Sequence, residues 1–389
     1  MILSKRIGRT GLFFGAPSFV ALFGACAFGA LACSKTETTT SPPAQANPAA
    51  SASEGATAHA PGACTPGKTG RIAFLLKQQT AFRYLHADVP FFQKTVEGAG
   101  FKVVFQSAEN DPNTQVSQAE NVITRGVDAI VIQPVDFNVA GTIAKMATAA
   151  GVPVASYDDV IMNAAQAAFI GRDPKEGGIA AAKAVVAVVP KGNYALIGGD
   201  PGPTGSTKMQ EGYREVLEPL VKKGDVKIVL DQFTPKWKTE PAQAHAENAL
   251  TRNGNKVSAF LVSYDGMSLG VMQAVKGAGL KPGSIPITGQ DMELSAAQAI
   301  VEGRMFGTLW PAPDEMAVRA GNVAVAIARC EKPQADATIN NGAGDVPWAK
   351  TPIYLVTAKE MPAFVCSHQF WLKPEEVYSN VPAQKPTCK

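Results

Sequence analysis

Two short segments have the residue spacing of catalytic motifs. Residues 62–70, GACTPGKTG, match the G-x-x-x-x-G-K-[ST] loop that cradles phosphate groups. Residues 266–270, GMSLG, match the G-x-S-x-G turn that presents a nucleophilic serine in hydrolases. Both chemistries need a strand before the motif and a helix after it, because the backbone must turn sharply there. The elements around each motif therefore decide its interpretation.

The phosphate-loop match has the wrong neighbours. It follows a segment dominated by Ser, Thr, Ala, Pro and Gly, and it precedes RIAFLL (71–76), an apolar run typical of a buried strand. No strand is predicted before the glycines and no helix after them, so the helix N-terminus that would face the phosphates is missing. We interpret the match as chance.

The serine motif has better neighbours but a displaced turn. Tyr264 and Asp265 separate the preceding strand from the first glycine, and the chain has no His-Gly-Gly segment for an oxyanion hole. A helix start near Ser268 is therefore the favoured interpretation. A hydrolase remains the minor alternative, since Asp291 and His368 follow Ser268 in the order of a Ser-Asp-His triad.

Apolar runs that alternate with helical periodicity predict the elements that position polar side chains. Candidate strands are 72–76, 102–105, 129–132, 152–156, 194–197, 227–230, 259–262, 285–288 and 306–310. Between them lie amphipathic segments such as 113–126, in which the apolar side chains share one helical face. This alternation predicts an α/β fold of doubly wound parallel sheets. In such sheets ligands bind beyond the carboxyl ends of the strands.

Polar side chains follow several of these strands. The strand ends are Arg83-Tyr84, Tyr157-Asp158-Asp159, Arg172-Asp173, Tyr264-Asp265 and Gln290-Asp291. Each Asp alone could instead cap the helix that follows it. Together they suit a polyol, because Arg and Asp offer paired donors and acceptors to vicinal hydroxyls. Trp237 could cover the C–H face of a sugar, and the alternative for this ring is packing on the core.

Five segments resemble the periplasmic sugar-binding proteins of ABC importers, and within that family the xylose-type branch. They are RGVDAIVIQP (125–134), GNYALIGGDP (192–201), SYDGMSLGVMQAVKGAGL (263–280), ITGQD (287–291) and INNGAGDVPWAKTPI (339–353). The resemblance covers about residues 71–357. It implies two similar α/β lobes that are joined by three crossovers and close over one monosaccharide, without catalysis or a cofactor. The implied partners are an ABC permease and its ATPase. A sensor of the same fold, serving a chemoreceptor or a membrane kinase, is the alternative.

Carried over position by position, the resemblance implies ligand contacts for Arg83, Tyr84, Trp237, Asp265 and Asp291. We add three further positions to this set of candidate ligand-binding residues, and they are Asp159, Arg172 and Tyr264.

Asp159 and Tyr264 are departures from the xylose-type pattern, since they replace an arginine and an asparagine. A third departure is Pro311, which stands where a lysine is expected. Arg172 is placed at a strand end where it could restore part of the lost positive charge. The hydrogen-bonding set of the pocket therefore differs from that branch, and the identity of the sugar stays open.

The resemblance also implies boundaries for the two lobes. The N-terminal lobe is expected to comprise 70–157 and 293–337, and the C-terminal lobe 158–292 and 338–375. Residues 376–389 are expected to form a C-terminal tail. The crossovers are expected near 157–159, 290–293 and 338–345.

The first 33 residues have the pattern of a secretory signal. A basic start is followed by an apolar stretch that ends at ALAC (30–33). Cys33 before Ser34 resembles a bacterial lipoprotein cleavage site, so we expect lipidation of Cys33, with simple export as the alternative. Residues 34–69 contain too few large apolar side chains to offset their ordering entropy, so we expect a disordered tether. The expected location is the periplasm or the cell surface, with a lipid anchor in the membrane.

Composition argues against several other functions. The formal net charge is only +3, and no basic patch interleaved with aromatic residues suggests nucleic acid. The four histidines are scattered and no C-x-x-C occurs, so no metal site is predicted. We expect a monomer.

Four cysteines follow Cys33, and an even number in an exported chain predicts disulfides. Cys64 precedes the first strand, and Cys330 ends the helix that returns from the cleft, so both are expected at the outer edge of one lobe. Cys366 and Cys388 both belong to the C-terminal extension. The expected pairs are Cys64–Cys330 and Cys366–Cys388, with free thiols as the alternative.

Overall fold

The computed structural model describes residues 69–79, 82–201 and 205–388. The predicted signal and tether, with Cys33 and Cys64, lie outside these ranges. Within them no helix is long and apolar enough to cross a membrane.

Strands and helices alternate along most of the described chain. The strands are β1 Arg71–Leu76, β2 Lys102–Ser107, β3 Ala129–Ile132, β4 Val154–Tyr157, β5 Ala168–Arg172, β6 Gly192–Gly198, β7 Val226–Phe233, β8 Ala259–Val262, β9 Thr288–Gln290, β10 Gly307–Trp310, β11 Ala337–Asn340, β12 Asp345–Thr351 and β13 Tyr354–Thr357. The α-helices are α1 Val89–Gly98, α2 Pro112–Thr124, α3 Phe137–Ala149, α4 Pro174–Val188, α5 Ser206–Lys223, α6 Thr239–Arg252, α7 Asp265–Gly277, α8 Leu294–Val301, α9 Pro313–Ala328, α10 Met361–Ser367 and α11 Pro374–Val377.

The first lobe is built on a seven-stranded sheet in the order β11-β12-β5-β4-β3-β1-β2. All neighbours pair in parallel except β11 and β12. Ile72 and Phe74 face the core under α1 and α9, whereas Ala73 and Leu75 face the core under α2 and α3. Because both faces are covered, the central strands are mostly apolar, as in AIVI of β3.

The second lobe contains two three-stranded sheets, β7-β6-β8 and β13-β10-β9. A parallel bridge between Phe260 and Ile287 connects them. Helices α6 and α7 cover one face of the β7-β6-β8 sheet, and helices α4 and α5 cover its other face. The α/β class with parallel sheets covered on both faces is confirmed.

The lobe boundaries differ from the expected ones by one strand at each of the first two crossovers and by two strands at the third. Strands β5, β11 and β12, expected in the C-terminal lobe, pair in the first sheet, and β10, expected in the N-terminal lobe, pairs with β9 in the second. The chain therefore crosses at 172–174, 310–313 and 351–354. The sequence did not show this, because the apolar pattern within a strand does not specify which of two sheets the strand joins.

The C-terminal segment is attached to the second lobe. Cys366 and Cys388 form a disulfide with Cα atoms 5.2 Å apart, and they are 22 residues apart in sequence. The side chain of Gln298 on α8 donates to the carbonyl of Glu376, at 3.0 Å. Cys330 is also disulfide-bonded. Since Cys64 lies outside the described residues, the Cys64–Cys330 pair stays a prediction.

Candidate functional site

Four neighbouring parallel strands of the first sheet each deliver a polar side chain at the carboxyl end. Lys77 follows β1, Gln133 follows β3, Asp158 follows β4, and Arg172 ends β5. These strands are adjacent in the order β5-β4-β3-β1, so their ends meet at one edge of the sheet. This edge is where ligands bind in open α/β sheets.

Asp158 is shared by two guanidinium groups. It accepts from Arg83 Nη1 at 3.0 Å and from Arg172 Nη1, and the amide of Gln133 donates to it at 3.2 Å. The three charged side chains are nearly buried. Burial alone would raise the pKa of Asp158, but attraction by Arg172 and Arg83 outweighs it and lowers the pKa below its ordinary value. The carboxylate is therefore ionised and fixes both cations.

Arg83 is also held from its other side. Asp88 accepts from its Nη2 at 2.8 Å and from its Nε at 3.1 Å, and the hydroxyl of Tyr157 donates to the same carboxylate. Asp88 is fully buried, which raises its pKa despite the attraction of Arg83. A bidentate Arg–carboxylate contact restricts the guanidinium to one orientation. Arg83 is thus pre-organised, with donors left over for a ligand.

The aromatic neighbour of Arg83 has a supporting contact. Tyr84 is buried, and its hydroxyl accepts from the amide of Gln133 at 3.1 Å.

Asp159, which follows Asp158 at the end of β4, accepts from Lys77 at 3.3 Å. Lys77 therefore adds positive charge beside Asp159, the position where the xylose-type pattern has an arginine.

The strand ends of the second lobe carry aromatic and acidic side chains. The rings of Trp237 and Tyr264 meet edge to face with centroids 6.2 Å apart. Both rings require a glycine beside them, since an added Cβ at Gly199 would lie 2.0 Å from the Trp237 ring and one at Gly266 2.6 Å from the Tyr264 ring. The hydroxyl of Tyr264 donates to Glu293. Burial raises the pKa of Glu293, and this hydrogen bond partly offsets the effect.

Asp265 has a different role from the one the resemblance implied. It is fully buried at the start of α7, where it accepts from Thr308 Oγ1 at 2.7 Å and from the backbone N–H of Glu293 at 2.9 Å. Burial raises its pKa well above the ordinary value. We therefore assign Asp265 to positioning the loop that carries Glu293, because its carboxylate is enclosed by protein groups.

Uncommon backbone conformations coincide with the candidate residues. Asp158, Trp237 and Asp291 have φ values of 65°, 55° and 96°. Non-glycine residues rarely adopt positive φ, and such positions concentrate at ligand sites where the surrounding structure enforces them. The backbone of Asp291 is held by a hydrogen bond from its N–H to the carbonyl of Leu309, at 2.9 Å.

Buried polar atoms at the same strand ends lack a partner among the described residues. They are Gln133 Oε1, Arg172 Nε and Gln290 Oε1. An unpaired buried donor or acceptor costs about 1–3 kcal/mol, and a ligand or an ordered water commonly satisfies such an atom. The strand ends of the two lobes thus present an unpaired hydrogen-bond donor, Arg172 Nε, and two unpaired acceptors, Gln133 Oε1 and Gln290 Oε1.

The serine motif begins a helix. Ser268 is fully buried, and its hydroxyl lies 2.7 Å from the carbonyl of Thr288 and 3.0 Å from that of Tyr264. It cannot reach a substrate. Within the described residues no three His, Cys, Asp or Glu side chains form a group that could hold a metal ion.

Sequence reasoning overlooked several residues of this site. Lys77, Asp88, Gln133 and Glu293 were not selected, and Asp158 was noted only as part of a strand end. Lys77 and Gln133 directly follow apolar runs, so the strand-end rule that found Arg172 could have found them. Asp88 follows Arg83 by only five residues, but its second partner, Tyr157, is 69 residues away and is brought to it by the fold.

Two parallel-sheet lobes with polar strand ends and three crossovers define a two-lobed binding protein. Residues 72–332 match the family model described as a periplasmic binding protein domain, and the chain belongs to this family. It is accordingly a binding protein and not an enzyme.

The chain is similar to several characterised relatives. It is 39% identical over 260 residues to the D-xylose-binding periplasmic protein of Escherichia coli (strain K12), covering 67% of this chain and 78% of that protein. It is 28% identical over 305 residues to the multiple sugar-binding periplasmic receptor of Rhizobium radiobacter, covering 73% of this chain and 86% of that receptor. A solved ABC transporter solute binding protein from Clostridium phytofermentans, with bound β-D-glucose, has a TM-score of 0.71 at 24% identity and covers 79% of this chain and 99% of its own.

Proposed function

We propose that this protein is the sugar-binding component of an ABC importer and that it binds a pentose or a related monosaccharide between its two lobes. The observation that carries the proposal is the cluster in which Asp158 fixes Arg83 and Arg172 at the carboxyl ends of adjacent strands. The similarity to D-xylose-binding and multiple sugar-binding relatives supports it.

The candidate ligand-binding residues of both lobes have defined roles in this proposal. Arg83 and Arg172 retain unused N–H groups for hydroxyl oxygens, and Gln133 Oε1 and the carboxylate of Asp291 accept from hydroxyl hydrogens. Trp237 covers the apolar C–H face of the sugar. Because these groups come from both lobes, the sugar favours a closed arrangement in which all contacts form together.

A calorimetric screen of the chain without residues 1–33 tests this function. D-Xylose, D-ribose, D-glucose and xylitol are titrated, and we expect micromolar binding of at least one. Asp291→Ala should weaken that binding by roughly a hundredfold, because removing a charged hydrogen-bonding partner costs about 2–3 kcal/mol. Ser268→Ala is the control, which should leave affinity unchanged. Absence of binding by all four compounds at millimolar concentration would refute the proposal.

We further propose that the protein is exported and attached to the membrane as a monomer through lipidated Cys33. The support is the sequence pattern alone, since Cys33 lies outside the described residues. Metabolic labelling with palmitate should mark the wild type and not Cys33→Ala, and the variant should move to the soluble fraction. Label retained by Cys33→Ala would exclude this residue as the attachment point.

A further inference from the structure

A cavity of about 560 Å³ lies apart from the sugar site, alongside helix α9. Glu315, Val318, Asn322 and Ala326 line it at helical spacing, so one face of α9 forms its floor. The end of β12, at Thr351 and Pro352, forms part of its wall. We call this space the α9 cavity.

Three buried polar atoms without a partner in the described part of the chain line the α9 cavity. They are Asp314 Oδ1, Arg319 Nε and Thr351 Oγ1. Thr351 is only 3% exposed. The neighbouring donor of the same guanidinium, Nη2, is bonded to Asp336. An acceptor, a charged donor and a hydroxyl left unpaired around one cavity indicate a ligand with complementary groups.

The charges of the lining are separated along the helix. Asp314 and Glu315 lie in the first turn of α9, and Arg319 lies more than one turn further. Lys332 and Lys350 add positive charge to the lining, and Phe91, Val318 and Val323 add apolar surface. The volume falls within the usual range of small-molecule sites, about 300–1,000 Å³.

We propose that the α9 cavity binds a small zwitterion with an apolar side chain, of the amino-acid class. Its ammonium group would donate to Asp314 and Glu315. Its carboxylate would accept from Arg319 Nε and the hydroxyl of Thr351. Its side chain would lie against Phe91 and Val318.

The position of the cavity gives such a ligand a regulatory consequence, which rests on the proposed sugar-binding function. Helix α9 begins directly after the 310–313 crossover, and Thr351 begins the 351–354 crossover. Two contacts join the lobes at its border: Tyr354 donates to Glu315 at 3.3 Å, and Lys350 donates to Glu176 at 2.6 Å. A zwitterion whose ammonium group engages Glu315 competes with the Tyr354 contact and changes the balance between open and closed forms.

Direct binding is measured first, by ligand-observed NMR and calorimetry without sugar. The probes are L-leucine, L-leucinamide, which lacks the carboxylate, and 4-methylpentanoate, which lacks the ammonium group. We expect L-leucine to bind at least about tenfold more tightly than either analogue. Equal binding of the three would overturn the zwitterion assignment. The proposal would also be overturned if L-leucine, L-valine, L-methionine and L-phenylalanine all failed to bind at millimolar concentration.

Variants then locate the site. Thr351→Val conserves volume and removes a hydroxyl that has no partner among the residues that the structure describes, so it should fold with an unchanged or higher melting temperature. It and Arg319→Gln should each weaken L-leucine binding about tenfold. Ser117→Ala, on the distant helix α2, is the control. Unchanged binding by both cavity variants would place the ligand elsewhere.

Sugar titrations with and without L-leucine separate this inference from the proposed function. If L-leucine changes the sugar affinity, the α9 cavity and the sugar site are coupled. If the sugar affinity is unchanged while L-leucine is bound, the proposed coupling is refuted. Leucine binding to a protein that binds no sugar would leave the α9 cavity established while the proposed function fails.

Discussion

Asp158 is the residue on which the first-lobe cluster depends. Its carboxylate neutralises Arg83 and Arg172, and all three side chains are nearly buried. We expect Asp158→Asn to lower the free energy of unfolding by about 3–5 kcal/mol, because it leaves two buried cations without their shared partner. Urea denaturation measures the loss. Asp159→Asn is the matched control, and it should cost about 1 kcal/mol or less because the Lys77–Asp159 pair is partly exposed. Equal losses in the two variants would contradict this assignment.

The ion pairs of Asp158 with Arg83 and Arg172 predict that the free energy of unfolding depends on pH. Burial would raise the pKa of Asp158, but Arg172 and Arg83 lower it below the unfolded value of about 3.9. A carboxyl group with a lowered folded pKa stabilises the fold above its unfolded pKa, and this contribution is lost as pH falls through the folded pKa. The stability gap between wild type and Asp158→Asn should therefore stay constant between about pH 5 and 7 and narrow below about pH 4. If the stability difference between wild type and Asp158→Asn narrowed toward high pH instead, the folded pKa of Asp158 would be raised and not lowered.

At the scale of elements, the C-terminal segment contacts the loops that carry the candidate residues Arg83 and Asp291. The indole N–H of Trp371 donates to the carbonyl of Met292 at 2.8 Å, next to Asp291. The ring of Trp371 also meets Phe82 edge to face at 4.9 Å, next to Arg83. The Cys366–Cys388 disulfide closes the loop that contains Trp371. This segment thus connects the candidate ligand residues of one lobe to those of the other.

Trp371→Phe tests this connection, since it keeps a ring and removes the N–H donor. We expect sugar affinity to fall about tenfold, because the Met292 carbonyl loses its partner and the loop of Asp291 loosens. Calorimetry measures the change, and Phe370→Leu, at the half-exposed neighbouring ring, is the control. A loss of stability with unchanged affinity would reduce Trp371 to a packing role.

The disulfide itself should contribute stability. Replacing Cys366 and Cys388 with serine should lower the free energy of unfolding by about 3 kcal/mol, the loop-closure estimate for a loop of this length. Denaturation of the double variant beside the wild type, both without reductant, measures this. An unchanged free energy of unfolding would mean that the loop stays ordered without the bond.

At the scale of the whole molecule, three crossovers connect the lobes. Ala312, in the crossover before α9, has φ 45° and ψ 61°, a left-handed conformation that costs a non-glycine residue about 1–2 kcal/mol. A conformation enforced at a crossover is consistent with a hinge, where a few residues absorb the change in backbone angles. The α9 cavity lies against this same crossover.

We predict that the two lobes close when the sugar binds. Small-angle scattering at saturating sugar should show a smaller radius of gyration than without sugar, because contacts from both lobes form only in the closed state. Asp291→Ala, at a sugar concentration too low to saturate it, is the control and should keep the larger radius. Identical scattering with and without bound sugar would indicate a rigid site.

The sequence by itself determined the fold class and most of the strand ends. Parallel strands covered on both faces must be apolar throughout, so β1, β3 and β8 are readable from composition alone. The displaced turn before Gly266 favoured a helix start near Ser268, and α7, which begins at Asp265, agrees with it. These features depend on neighbours in the chain, and a local pattern is sufficient to show them.

The tertiary structure alone decided which sheet β5 and β10 join, and therefore where the lobes begin and end. It also decided that Asp158 is the shared carboxylate and that Asp265 is enclosed. The Arg83–Asp158 contact joins residues 75 apart, and the Thr308–Asp265 contact joins residues 43 apart. Such contacts depend on the packing of distant segments, and no local pattern in the sequence specifies them.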